Sequence, residues 1–329
     1  FSRIVEGRAT AYRVLRDGTF RIYLPFTNVV GNGGLLTTVG DLLVWNEQLD
    51  NPRVGGRALV ERLQTRGRLN DGFELEYAQG LVVTDFRGVR EVGHNGTTAG
   101  YQTFLARYPA ARLSVAVLCN TTGTDPSGLG RRVAEVYPEG RLKPEAVPKA
   151  IPVETAALEA VTGVYREVRT DAVLRISIDP SRKALAAGGA ALVATAPDVY
   201  EAAAGGRTFT IERDAAGAIR GIRETNGRAR PRTWSREAPF FPTADRLSEY
   251  VGTYYSDELD KSYLVTLAGQ SLRVQFSPAT HYVLVPAFRD AFEGEGNVLH
   301  FTRDAEGRVT GFRVFADRVR HLRFDRRSP

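Results

Sequence analysis

Methionine is absent from this 329-residue sequence, and cysteine occurs once, at Cys119. A lone cysteine excludes an internal disulfide framework and any cysteine-rich metal site. Without methionine the chain cannot begin with its own initiator, so an upstream portion is expected to have been removed, by proteolysis or truncation. Phe1-Ser2-Arg3-Ile4 carries no apolar core of the kind a secretion signal needs. No apolar run approaches the ~20 residues of a membrane-spanning helix, so no membrane span is expected. His281, His300 and His321 lack metal-ligand spacing and read as ordinary strand residues. Lysine is scarce, at four of 44 basic residues, and the arginines are interspersed with acids, as in Arg213-Asp214 and Arg303-Asp304. The net charge of +6 therefore reads as a solvated surface, with no nucleic-acid partner.

Apolar residues at 43% and charged residues at 25% give the balance of a globular protein, and 329 residues suffice for two or three domains. The first segment, residues 1–140, mixes helix and strand signals. Thr38-Val39-Gly40-Asp41 is a capping-box pattern opening a helix, with Val39, Leu42, Leu43 and Leu49 on one face. A second helix is expected from Ala58 to Gln64, with Leu59, Val60 and Leu63 inward. The period then changes to that of strands at Leu81 to Val83, Val89 to Gly93, Tyr101 to Tyr108 and Leu113 to Cys119. The last of these is apolar or small on both faces and is expected to be central, covered by helices on each side. Pro109-Ala110-Ala111-Arg112 is a tight link, and Asp125-Pro126 caps a helix expected to bury Leu129, Val133 and Val136.

Four prolines, at 138, 144, 148 and 152, mark a stiff connection, and a linker is expected over residues 141–152. An internal repeat follows. Gly163-Val164-Tyr165 recurs as Gly252-Thr253-Tyr254, and Ile211 to Gly221 recurs as Phe301 to Gly311 around a shared Arg-Asp-x-x-Gly turn. Thr233-Trp234-Ser235-Arg236 matches Arg323-Phe324-Asp325-Arg326 at the same offset. Each copy, residues 153–237 and 238–329, reads as a small antiparallel unit that can lose its edges by closing into a barrel.

The stretch with chemical content is Glu91-Val92-Gly93-His94-Asn95-Gly96-Thr97-Thr98-Ala99-Gly100-Tyr101. A strand ends in a His-x-Gly step, a small polar loop follows, and Gly100-Tyr101 starts the next strand. Upstream, Gly31-Asn32-Gly33-Gly34-Leu35-Leu36-Thr37-Thr38 forms a glycine-rich approach to a helix. It lacks the Gly-Lys-Ser/Thr ending of a phosphate loop. Taken alone, a histidine before Asn-Gly is often a turn residue. With these pieces in this order, the sequence resembles the serine β-lactamase and penicillin-binding-protein-like family, which includes class C β-lactamases, D-aminopeptidases and esterases, over residues 1 to about 140. The paired C-terminal units resemble the lipocalin-like barrels appended to some members.

The fold this implies is α+β: an incomplete β-lactamase/transpeptidase-like domain, with an antiparallel sheet flanked by helices, followed by two small antiparallel β-barrel domains. Acyl transfer builds negative charge on a carbonyl oxygen, and preorganised amides stabilise it. The resemblance makes the Thr97 backbone N–H one of two oxyanion donors, and Gly96 a glycine because substrate lies close against the backbone. His94 takes the place that lysine holds in other members. Asn95 and Thr98 are expected at the substrate, unless Asn95 only shapes the turn. The family's Ser-x-x-Lys and Tyr-x-Asn motifs are both missing, and no Gly-x-Ser-x-Gly replaces them. The expectation is thus the C-terminal portion of a serine hydrolase acting on an amide or ester through an acyl-enzyme, inactive by itself. Its partners would be a small-molecule or peptide substrate and the missing N-terminal part of the same protein. The chemistry requires no metal or organic cofactor, and a periplasmic or secreted location is implied by the resemblance alone. The alternative is a noncatalytic ligand-binding protein built on the hydrolase scaffold, with the barrels as the recognition element.

Overall fold

Helix-period and strand-period sequence alternate in the first unit, Phe1–Glu145, and the computed structural model shows how they layer. It describes residues 4–327 apart from 16, 26–30, 32, 138–141, 145–146, 182, 204–205, 278–279 and 317–318. A short hairpin, β1 (Tyr12–Val14) and β2 (Phe20–Ile22), precedes the helices α1 (Val39–Asp50) and α2 (Gly56–Leu63). The Thr38 hydroxyl accepts from the Asp41 amide at 3.1 Å and donates to the Asp41 carboxylate at 3.0 Å, which fixes the start of α1. Four antiparallel strands follow, bonded in chain order: β3 (Val82–Phe86), β4 (Val89–Thr98), β5 (Tyr101–Tyr108) and β6 (Leu113–Cys119). The β3–β4 turn is Arg87-Gly88, with φ of 51° and 84°, the conformation that a tight two-residue hairpin demands. Asp125 then caps α3 (Pro126–Val136) by accepting from the Gly128 amide at 2.9 Å.

Two helix-packing expectations, for α3 and α2, are corrected. In α3 the buried residues are Pro126, Gly130 and Ala134, while Leu129, Val133 and Val136 lie on the outer face. Close approach is the reason, since a Cβ on Gly130 would sit 2.4 Å from Phe104 Cδ1; only a small-residue stripe lets this helix settle on β5 and β6. In α1 the buried residues are Asn46 and Leu49, with Val39 and Leu43 exposed, so the helix meets the sheet through its C-terminal half. In α2 Val60 is buried and Leu63 packs against the same cluster, as expected, but Leu59 is exposed. The strand expected to be central, β6, ends the four-stranded order, although α1 and α3 both contact it. Just past the end of β6, Tyr12 donates to Asn120 O at 2.9 Å and accepts from Thr122 N at 3.0 Å.

The boundary expected at 140–141 falls outside the described residues. The second unit is Ala146–Pro329, and on its side the connection is anchored by Ile151 N donating to Ala194 O at 2.9 Å. A short helix, α4 (Thr155–Val161), leads into eight strands from β7 (Gly163–Glu167) to β14 (Arg232–Glu237), and α5 (Ala244–Ser248) leads into eight more from β15 (Gly252–Ser256) to β22 (Val319–Arg326). Each set closes by pairing its last strand with its first, giving two eight-stranded antiparallel barrels.

The repeated residues are the ones that close the barrels. Tyr165 and Tyr254 are fully buried, and each donates its hydroxyl to a carbonyl four residues back, Val161 at 2.7 Å and Tyr250 at 2.8 Å. Arg213 binds Asp198 (2.7 and 2.8 Å) and Gly217 O, and Arg303 binds Asp290 (2.7 and 2.9 Å) and Gly307 O, so each guanidinium staples its hairpin turn to a neighbouring strand end. Both interiors are filled by side chains. Tyr165, Phe209, Ile222 and Trp234 fill the first, and Tyr254, Phe301, Phe312 and Phe324 the second. This packing leaves the barrel lumens to core residues and disfavours them as ligand sites.

Candidate active site

The strand carrying His94 to Thr98 is longer than its sequence suggested. The polar stretch read as a loop continues the β4–β5 ladder, with His94 opposite Leu105, Gly96 opposite Thr103 and Thr98 opposite Tyr101, and the turn is only Ala99-Gly100. β3 has no residue beyond the Val82–Gly93 pair. Among the described residues the last five of β4 therefore have a partner strand on one side only.

Hairpin geometry then decides which amides are free. Residues flanking a two-residue turn form the hydrogen-bonded pair, and the direction of the backbone groups alternates along each strand. From Thr98–Tyr101, residues 98, 96 and 94 face β5; from Phe86–Val89, residues 89, 91 and 93 face β3. The two hairpins agree, so the N–H groups of Asn95 and Thr97 point outward from an edge where, among the described residues, no strand stands. The side chains alternate as well. His94, Gly96 and Thr98 share the face of Val92, which packs with Leu49 of α1 and Val60 of α2. Asn95 and Thr97 share the opposite face with Glu91.

That opposite face is clamped. Glu91, 4% exposed, accepts from Tyr108 OH at 2.7 Å and from Arg131 of α3 at 2.7 and 3.1 Å. Burial, reinforced by the adjacent Glu91 carboxylate, pushes the Tyr108 hydroxyl far up, so it remains a donor. A buried carboxylate held by three charge-assisted or hydroxyl donors keeps β4 in register against α3. Gly93 serves the same end, because a Cβ there would meet Leu105 O at 2.1 Å. At Gly96 the obstacle to a Cβ is Thr103 Oγ1 at 2.8 Å, on the side facing the cavity.

A cavity of about 870 Å³ opens beside this strand end. Gly96, Thr97 and Thr98 line it, together with Thr103 on β5 and Thr38 and Asp41 at the start of α1. Gly33 and Gly34 of the glycine-rich stretch also line it, and the ideal Cβ position of Gly33 is 3.9 Å from Thr98 Oγ1. The two motifs, some sixty residues apart in sequence, thus meet at one wall; Asn32, just before those glycines, lies outside the described residues. His94 and Asn95 do not line the cavity. The His94 ring engages on both nitrogens instead: Nδ1 contacts the Asn95 carbonyl oxygen, and Nε2 lies 3.3 Å from Tyr77 OH. Tyr77 packs edge-on against the ring, with centroids 5.6 Å apart. Tyr77 and Thr103 were not singled out from sequence, and Asp41 only as part of a helix cap; nothing in Tyr77-Ala78-Gln79-Gly80 signals a partner seventeen residues on. Among the described residues no group of three or more His, Cys, Asp or Glu is placed to hold a metal, and no helix is long and apolar enough to cross a membrane.

Residues 3–137 match the family model described as Beta-lactamase. Similar curated proteins include a D-aminopeptidase of Brucella canis, 23% identical over 321 residues, covering 90% of this chain and 57% of the relative. Another is a D-aminopeptidase of Brucella anthropi, 24% identical over 329 residues, covering 94% and 60%. The chain spans somewhat over half the length of these curated relatives. Similar solved structures include an octameric penicillin-binding protein homologue from Pyrococcus abyssi, at 16% identity, TM-score 0.37, and coverage of 96% of this chain and 52% of that one. The SurE crystal structure aligns at 19% identity, TM-score 0.41, over 71% and 58%.

Proposed function

We propose that this chain, whose residues 3–137 match the Beta-lactamase family model, is part of a serine hydrolase of the β-lactamase and penicillin-binding-protein-like kind, and that it supplies the oxyanion edge of an acyl-transfer site whose serine lies in sequence outside it. The observation that carries the reading is the outward-facing Thr97 amide, at the unpaired end of β4 and on the wall of the cavity. An edge amide of this kind can meet a carbonyl oxygen as it gains charge, and such a donor typically lowers the barrier by about 3–4 kcal/mol. Rigid placement matters as much as the donor, and the Glu91–Arg131–Tyr108 clamp and Gly93 supply it.

On this reading the parent protein hydrolyses an amide or ester through an acyl-enzyme, with Gly96 and Thr98 against the substrate. Two D-aminopeptidases at 23–24% identity favour a peptide or amide with a D-residue over a β-lactam. The remaining sequence of the parent would bring the serine, its lysine and the tyrosine to the open side of the cavity. A location outside the inner membrane belongs to the same reading. The test is a panel of D-amino-acid p-nitroanilides, p-nitrophenyl esters and nitrocefin on the parent protein and on residues 1–329 alone. Turnover of the first class by the parent, and none by the isolated chain, is expected; no turnover of any substrate by the parent would overturn the proposal.

A further inference from the structure

Tyr77 stands beside the site and has no part in the reading above. Its backbone is fixed from two directions, by Gly67 N donating to Tyr77 O at 2.9 Å and by an isolated bridge to Val82. Its ring is half exposed, so it is not a core residue. What it touches is His94: the rings pack edge to face at 5.6 Å, and Tyr77 OH lies 3.3 Å from Nε2.

Hydrogen-bond chemistry fixes who donates. The Asn95 carbonyl oxygen can only accept, so His94 Nδ1 carries the hydrogen in that contact. In the neutral imidazole Nε2 is then a bare lone pair, and the Tyr77 hydroxyl donates to it. The carbonyl is adjacent in the chain and permits other χ angles, whereas Tyr77 is anchored on a different segment and permits one. The Asn95 carbonyl also belongs to the outward-facing edge, so the ring's position decides how that edge meets a substrate.

We propose that Tyr77 is a positioning residue for His94: its hydroxyl holds the imidazole as the Nδ1–H form against the Asn95 carbonyl, with Nε2 as the acceptor. The proposal rests on His94 being a site residue only for its effect on turnover; the geometry of the pair stands independently of it. Tyr77 would act through His94 alone, so removing its hydroxyl costs nothing once His94 is gone.

Two measurements test this. In residues 1–329 with ¹⁵N-labelled histidine, only four imidazoles need assigning. The neutral His94 imidazole is expected as a single Nδ1–H tautomer, and Tyr77→Phe is expected to give the averaged nitrogen shifts of a free imidazole with an unchanged denaturation midpoint. An unchanged Nδ1–H signature in Tyr77→Phe would overturn the proposal. In the parent protein, Tyr77→Phe is expected to lower kcat about tenfold with little change in KM, and to add nothing to His94→Ala. Additive losses in the double variant would overturn it. If His94→Ala leaves kcat unchanged while the tautomer behaves as expected, the positioning stands and the catalytic reading of His94 falls.

Discussion

Two glycines on β4 meet different obstacles, and the difference predicts different phenotypes. At Gly93 the obstruction is backbone, Leu105 O at 2.1 Å from a built Cβ, and a backbone carbonyl cannot step aside without opening the β4–β5 ladder. Gly93→Ala should therefore destabilise the chain by about 1–3 kcal/mol, the usual cost of forced overpacking, read as a fall in the urea midpoint at constant m. At Gly96 the obstruction is the hydroxyl of Thr103 at 2.8 Å, which can rotate. Gly96→Ala should leave the midpoint almost unchanged while narrowing the cavity wall, and its loss should be read in kcat/KM of the parent protein. Equal stability loss in both variants would show that Gly96 is structural in the same sense as Gly93.

Elements were legible where their signals are local. The cap at Thr38, the proline-led start of α3 and the alternation of β3 to β6 all depend on residues within a turn or a pleat of one another. The buried face of α3 was not legible. Its apolar residues Leu129 and Val133 have helical spacing, yet Gly130 and Ala134 go inward because Phe104, on a distant strand, already fills the space. Gly130→Ala should accordingly destabilise by about 1–2 kcal/mol despite alanine's better helix propensity, whereas Val133→Ser on the outer face should stay within about 0.5 kcal/mol; chemical denaturation of both variants settles the ranking. The extent of β4 was missed for a related reason. His94-Asn95-Gly96-Thr97 has turn composition, and pairing with β5 on one edge overrides that local preference. The chemistry of the stretch could be read from residue types, but the side from which its amides are reached required the register.

On the scale of the whole molecule, the barrels were recoverable from sequence because each copy must place the same closing residues, Tyr165 and Tyr254, Arg213 and Arg303, Arg236 and Arg326. Their mutual seam was not, since it uses residues that differ between the copies, such as His300 and Arg175. Asp171 accepts from His300 Nδ1 at 2.9 Å and from Arg166 at 3.1 Å, and Arg175 pairs with Glu293 at 2.6 Å. Burial acts to raise the Asp171 carboxyl, but His300 and Arg166 together outweigh it and hold it below the usual carboxylate range. A depressed folded value means stability that is present above the unfolded value, near pH 4, and lost as pH falls through the folded value. Urea stability of the chain should thus decline below about pH 4, and Asp171→Asn should be less stable at pH 7 and show a shallower decline. An equal slope in the variant would remove Asp171 from that acid sensitivity. The central claim is that the Thr97 N–H meets a developing oxyanion in the parent protein, and Thr97→Pro tests it most directly. Proline deletes that one donor on an edge whose ladder bonds run the other way, a position where strands tolerate it. The expected result is a fall in kcat of about 10²- to 10³-fold with the fold intact; a folded Thr97→Pro protein turning over within about twofold of the parent rate would contradict the account.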